Sequence, residues 1–145
     1  MLVAEVFGVF AEKSVLGFSP VVALRAEDGR ILPIYIGISE ALSIYSAIKG
    51  DVPPRPMTHD LLADVISKLN GRVEKIVIDD LIDNTFYARL VIKQNDKTIE
   101  VDSRPSDSIA LAVRIKCPIF VEKEVLDEAG IDELPNTYVD LGQMV

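Results

Sequence analysis

Apolar and polar positions alternate through the first third of the chain. Leu2-Val3-Ala4-Glu5-Val6-Phe7-Gly8-Val9-Phe10 and Ser19-Pro20-Val21-Val22-Ala23-Leu24-Arg25-Ala26 are rich in β-branched and aromatic residues, the composition of strands. Glu12-Lys13-Ser14 and Gly17 supply turn chemistry between them. Asp28-Gly29 is a two-residue hairpin signal that pairs the second strand with Ile31–Ile36. The pattern predicts a three-stranded antiparallel meander.

From Ser39 the period becomes helical. Ser39 is read as the cap and Glu40 as the first-turn acid of a helix whose Leu42, Tyr45 and Ile48 share a face, with Gly50 as its stop. The stiff loop Val52–Pro56 leads to a second helix, with Thr58 as N-cap, Asp60 in the first turn and Leu61, Leu62, Val65, Ile66 and Leu69 on one face. Asn70-Gly71 ends it. Three more strands are predicted at Val73–Asp79, Thr85–Lys93 and Thr98–Asp102, turning at Asp83-Asn84 and Gln94-Asn95-Asp96. Ser106-Asp107-Ser108 opens a third helix that Pro118 stops; Ile119-Phe120-Val121 is a short buried strand, and Glu122–Ala129 a final helical turn or two.

The predicted class is α+β, with antiparallel or mixed meanders and three to four helices packed on them. Ser39-Glu40-Ala41-Leu42-Ser43-Ile44 and Ser106-Asp107-Ser108-Ile109-Ala110-Leu111 share the order hydroxyl, acid, small, aliphatic, small, aliphatic, which suggests two related βα halves. One domain is expected over residues 1–130, with 131–145 a loosely held acidic extension.

Charge and composition narrow the function classes. The net charge of −8 argues against a protein that grips phosphate backbones through a basic groove. Residues 122–145 carry seven acids and one base, so most of the excess lies at the C-terminal end and the remainder is nearly neutral. No apolar run approaches the ~20 residues needed to span a bilayer, and the N-terminus lacks the basic flank of a signal peptide. A single cysteine, Cys117, excludes an internal disulfide and is expected to be a buried thiol. These features predict a cytoplasmic protein without a membrane role.

The chemistry-bearing residues gather in two strings. Arg55-Pro56-Met57-Thr58-His59-Asp60 holds a guanidinium, a hydroxyl, the chain's only imidazole and a carboxylate. Arg104-Pro105-Ser106-Asp107 repeats the arginine, proline, hydroxyl and acid. Hydroxyls and acids at a helix start are explained by capping, but an arginine there opposes the helix dipole and points to a partner carboxylate such as Asp102 or Asp107, or to an anionic ligand. His59 is suited to general acid or base work. Glu40, Asp60, Asp102 and Asp107 could converge on Mg²⁺ or Mn²⁺, which take oxygen ligands, or could simply cap and pair. Zinc spacings, glycine-rich phosphate loops and a nucleophile elbow are absent from the sequence.

Three strings carry a family resemblance: Leu32-Pro33-Ile34-Tyr35-Ile36-Gly37 before Glu40-Ala41, then Arg55-Pro56-Met57-Thr58-His59-Asp60-Leu61, then Asp102-Ser103-Arg104-Pro105-Ser106-Asp107-Ser108-Ile109-Ala110-Leu111-Ala112. Together they resemble the bifunctional nuclease domain family, in a stand-alone prokaryotic form. The resemblance implies a compact α+β fold and nuclease activity on RNA and DNA. Positions matching its motifs are Glu40, Arg55, Thr58, His59, Asp60, Asp102, Arg104, Ser106 and Asp107; Ser108 stands where the family more often has alanine.

One expectation is therefore a metal-assisted nuclease. In it His59, Asp60, Asp107, Arg55 and Arg104 are catalytic, Arg55, Thr58, Arg104 and Ser106 contact substrate, and Glu40, Asp60, Asp102 and Asp107 hold Mg²⁺ or Mn²⁺. The alternative is a non-catalytic module that holds a small anion or an acidic partner segment on Arg55, Arg104 and His59. In a third reading these residues form an ion-pair network that only fixes helix starts. Free strand edges, with Tyr35, Phe86 and Tyr87 facing a partner, predict a homo-oligomer, most simply a dimer.

Overall fold

A computed structural model describes residues 1–144 of the chain. Among the described residues, eight strands form one mixed sheet with four α-helices. Strands β1 (Leu2–Ser14), β2 (Gly17–Ala26) and β3 (Ile31–Tyr35) make the first meander, followed by α1 (Ile38–Lys49) and α2 (Thr58–Lys68). Strands β4 (Gly71–Ile82), β5 (Thr85–Gln94) and β6 (Lys97–Ser103) make the second, followed by α3 (Pro105–Ile115). Then come β7 (Ile119–Val121), α4 (Lys123–Ala129), β8 (Tyr138–Asp140) and a 3₁₀ turn at Leu141–Gln143.

The sheet order is β3-β2-β1-β7-β4-β5-β6, so the two meanders flank β7 in mirrored order. β7 runs antiparallel to β1 and parallel to β4. The α+β expectation holds. Each meander feeds a helix from its outermost strand, β3 into α1 and β6 into α3, which brings the two helix starts together over the sheet.

Local chemistry explains the turns. Asp83 and Asn84 take φ of 50° and 64°, the conformation that a two-residue hairpin requires and that short polar side chains tolerate. Irregularities at Val6/Gly8 and Ile78/Asp80 shift the register within β1 and β4 and bend those strands. The core is filled by Val22, Leu24, Leu32, Ile34, Ile76, Ile78 and Leu90 from the sheet, and Ala41, Ile44, Ile109 and Leu111 from the helices, all buried. Val125 and Leu126 of α4 complete it.

Three expectations change. The helices start one or two residues sooner than their hydroxyls suggest: the cap positions are Gly37, Met57 and Arg104, none bonding through its side chain. Acids and proline do the work instead. Asp60 Oδ2 accepts the Met57 backbone N–H at 3.0 Å, and Pro105 presets the first turn of α3.

The expected loose extension is docked. β8 pairs with β1 from Phe10↔Asp140 to Glu12↔Tyr138, and Leu141 is 1 % exposed. Cys117 is only half-buried, and burial pushes its thiol pKa up. The Tyr35 hydroxyl donates to Glu12 Oε1 at 2.9 Å and meets Tyr138 Oη at 2.9 Å, while the residue itself stays exposed. Phe86 packs against the core, while Tyr87, its neighbour on a pleated strand, faces the other way.

Candidate functional site

Three helices meet at His59. It is the second residue of α2 and is 6 % exposed. Its Nε2 lies 2.8 Å from Asp107 Oδ1 at the start of α3, and its Nδ1 lies 2.7 Å from Ser43 Oγ in the middle of α1. Burial raises the Asp107 pKa, but the hydrogen bonds and charges of Arg104 and His59 outweigh it and hold the carboxyl below its usual range. An ionised Asp107 can only accept, so His59 Nε2–H donates to it. In the neutral ring Nδ1 is then a bare acceptor, and Ser43 Oγ–H donates to it. The connectivity is carboxylate, imidazole, hydroxyl.

On the outer side, Arg104 Nε and Nη2 donate to Asp107 at 2.8 and 3.1 Å, and the same guanidinium lies 3.8 Å from Glu40. Glu40 folds back over Gly37, where an added Cβ would collide with its carboxylate.

On the inner side, Ser43 lines a cleft of about 1160 Å³ between β1, α1, the start of α2 and the end of α3. Ser39, Ser43 and Ser46 form a hydroxyl stripe along its α1 wall, and Asp60, Arg114 and Cys117 face it from the other elements. Arg114 Nε donates to Asp60 Oδ1 at 2.7 Å, which with the Met57 N–H and the nearby His59 lowers the Asp60 pKa. The pair ties the end of α3 to the start of α2 beside His59. The arrangement can move a proton between the cleft wall and a buried, carboxylate-backed imidazole.

The pattern of the bifunctional nuclease domain matches residues 22–133. The chain belongs to that family. A protein of Mycobacterium tuberculosis, named as uncharacterised, is 48 % identical over 113 residues, covering 77 % of this chain and 67 % of the relative. Bifunctional nuclease 2 of Oryza sativa subsp. japonica is 33 % identical over 117 residues, 77 % of this chain and 36 % of the plant protein. Bifunctional nuclease 2 of Arabidopsis thaliana is 30 % identical over 115 residues, 76 % and 35 %. The chain thus spans about a third of the plant nucleases it matches. At the level of the family, it is a nuclease-domain protein.

The family's motif positions separate into those that gather and those that do not. His59, Asp107, Arg104 and Glu40 form one connected network, and Asp60 lies beside it. Arg55 is exposed in the loop before α2 and pairs with no carboxylate among the described residues. Thr58 is exposed at the first turn of α2. Ser106 is buried beneath the start of α3, beside a smaller hollow that Arg104 also lines.

Asp102 lies elsewhere. It sits opposite Arg89 on β6, whereas the adjacent Ser103 bonds Ser108 of α3. Strand alternation therefore turns Asp102 to the sheet face away from the helices. The expected four-carboxylate metal set does not assemble. Asp60 and Asp107 have both oxygens engaged, Glu40 is drawn to Arg104, and Asp102 is across the sheet. Among the described residues, no group of three or more His, Cys, Asp or Glu side chains is disposed to hold a metal. The donor set does not fit Mg²⁺ or Mn²⁺, which need several free oxygens around one point.

Two members of the site escaped the sequence: Ser43 and Arg114. The signal for Ser43 in the sequence is the helical spacing of Ser39, Ser43 and Ser46, which puts three hydroxyls on one face of α1. Arg114 reads as an ordinary base in a last helical turn, and its partner is 54 residues away.

Proposed function

We propose that the chain is a phosphodiester hydrolase acting on RNA, DNA or both, with the Asp107–His59 pair as its proton-transfer group and the adjoining cleft as its substrate site. The observation that carries this reading is the buried imidazole. Its Nε2 is held by an ionised carboxylate, and its Nδ1 is directed to the cleft wall through Ser43. Family membership supplies the reaction class. Arg114 and Lys116 are cations on the cleft lining for a phosphate to meet. Divalent-metal assistance would require ligands from the substrate as well as from the protein.

The test is cleavage of labelled single- and double-stranded RNA and DNA by purified protein in Mg²⁺, in Mn²⁺ and in EDTA, beside a His59→Asn variant of matched melting temperature. Removing a general acid or base costs about 10²–10⁴-fold, and a loss of that size is expected. Equal cleavage by the folded variant would identify a contaminant and end this reading. A second reading, a non-catalytic module for a small anion, draws on the −8 charge and the exposed Arg55. It predicts phosphate binding by a protein that cuts none of these substrates.

A further inference from the structure

We infer that Ser43 is the nucleophile of this site, and that the Asp107–His59 pair exists to deprotonate it. A serine in the middle of a helix ordinarily turns its hydroxyl to water or back to the carbonyl four residues before. Ser43 instead bonds the imidazole at 2.7 Å, while its half-buried side chain lines the cleft. Ser39 and Ser46 line the same wall with no imidazole partner. The three-group connectivity is that of an activated hydroxyl: an orienting carboxylate, a base with its lone pair on the hydroxyl, and an opening for the electrophile. A purely architectural tie between α2 and α3 would need only His59 and Asp107. It would not need the hydroxyl in the wall of a cleft of about 1160 Å³.

The inference rests on the hydrolase reading for the identity of the electrophile, a phosphodiester, but not for the reactivity of Ser43. Ser43 Oγ forms a bond to phosphorus as its proton passes to His59 Nδ1, and Asp107 stabilises the resulting imidazolium through Nε2–H. The bond from phosphorus to one nucleoside oxygen breaks, its electron pair leaves on that oxygen, and Nδ1–H returns the proton to it. A water molecule then attacks the phosphoserine diester and gives a proton to Nδ1. Ser43 Oγ departs and takes that proton back, leaving a phosphomonoester end.

The test uses diisopropyl fluorophosphate, which transfers its phosphoryl group to activated serines with loss of fluoride, followed by intact mass and peptide mapping. One adduct is expected, on Ser43, in wild type and in Ser46→Ala, and none in Ser43→Ala. Labelling should slow at least about 10²-fold in Asp107→Asn or His59→Asn. If those variants do not fold, the distribution over Ser39, Ser43 and Ser46 in wild type decides alone. No adduct, an even spread over the three serines, or an unchanged rate in a folded His59→Asn overturns the inference. Labelling of Ser43 in a protein that cleaves no nucleic acid would keep the nucleophile and remove the hydrolase reading. Cleavage without labelling would do the reverse.

Discussion

Asp60 and Asp107 both have pKa values below the ordinary carboxyl range in the folded state. Asp60 is lowered chiefly by the Arg114 hydrogen bond; at Asp107, burial works upward and is outweighed by Arg104 and His59. A depressed folded pKa means the unfolded chain binds protons first as pH falls. The stability these groups contribute is complete above the unfolded value of about 3.9 and is lost progressively below it. The melting temperature, followed from pH 7 downward, should hold until about pH 4 and then fall. The fall should be shallower in Asp60→Asn; an identical profile would show that the Arg114 pair does not set it. The sequence made His59, Asp60 and Asp107 visible because each stands in a distinctive string. Ser43 stayed hidden because only a contact across 16 residues gives it meaning.

Among elements, the strands and hairpins were the most legible part, since alternation and Asx-rich turns act locally. Asn84→Val should cost about 1–2 kcal/mol in urea unfolding, the penalty of a β-branched residue in the left-handed region, whereas Asn84→Gly should be tolerated. Ser39, Thr58 and Ser106 mimic caps, so their positions suggest helix starts one or two residues late. Asp60 and Pro105 do that work for α2 and α3 from other positions, and the cap position of α1 is Gly37, which bonds through no side chain. The Asp60–Arg114 bond links two helices rather than neighbours on one. A double-mutant cycle of Asp60→Ala and Arg114→Ala should give a coupling of about 0.5–3 kcal/mol. Additivity within error would mean the bond at 2.7 Å contributes nothing to docking α3 on α2.

At the scale of the molecule, mirrored meanders around β7 bring β3 and β6 to deliver α1 and α3 side by side, and α2 lays His59 between them. The echo between the Ser39 and Ser106 strings hinted at this; how the carboxylates would be shared out between arginines did not follow from spacing. The acidic C-terminal segment looked like a tail because its composition is polar, yet Leu141 closes the core beside α1. Leu141→Ala should therefore cost about 2–5 kcal/mol, as for other buried leucines, and a cost near zero would show the segment undocked.

The Asp107–His59–Ser43 relay depends on which nitrogen of His59 carries the proton. His59 is the only imidazole in the chain, so two-bond ¹H–¹⁵N correlation of the histidine-labelled protein reports it without overlap. At a pH where the ring is neutral, the proton should sit on Nε2 toward Asp107, leaving Nδ1 as the acceptor for Ser43. A proton on Nδ1, or averaging between the two tautomers, would contradict the relay.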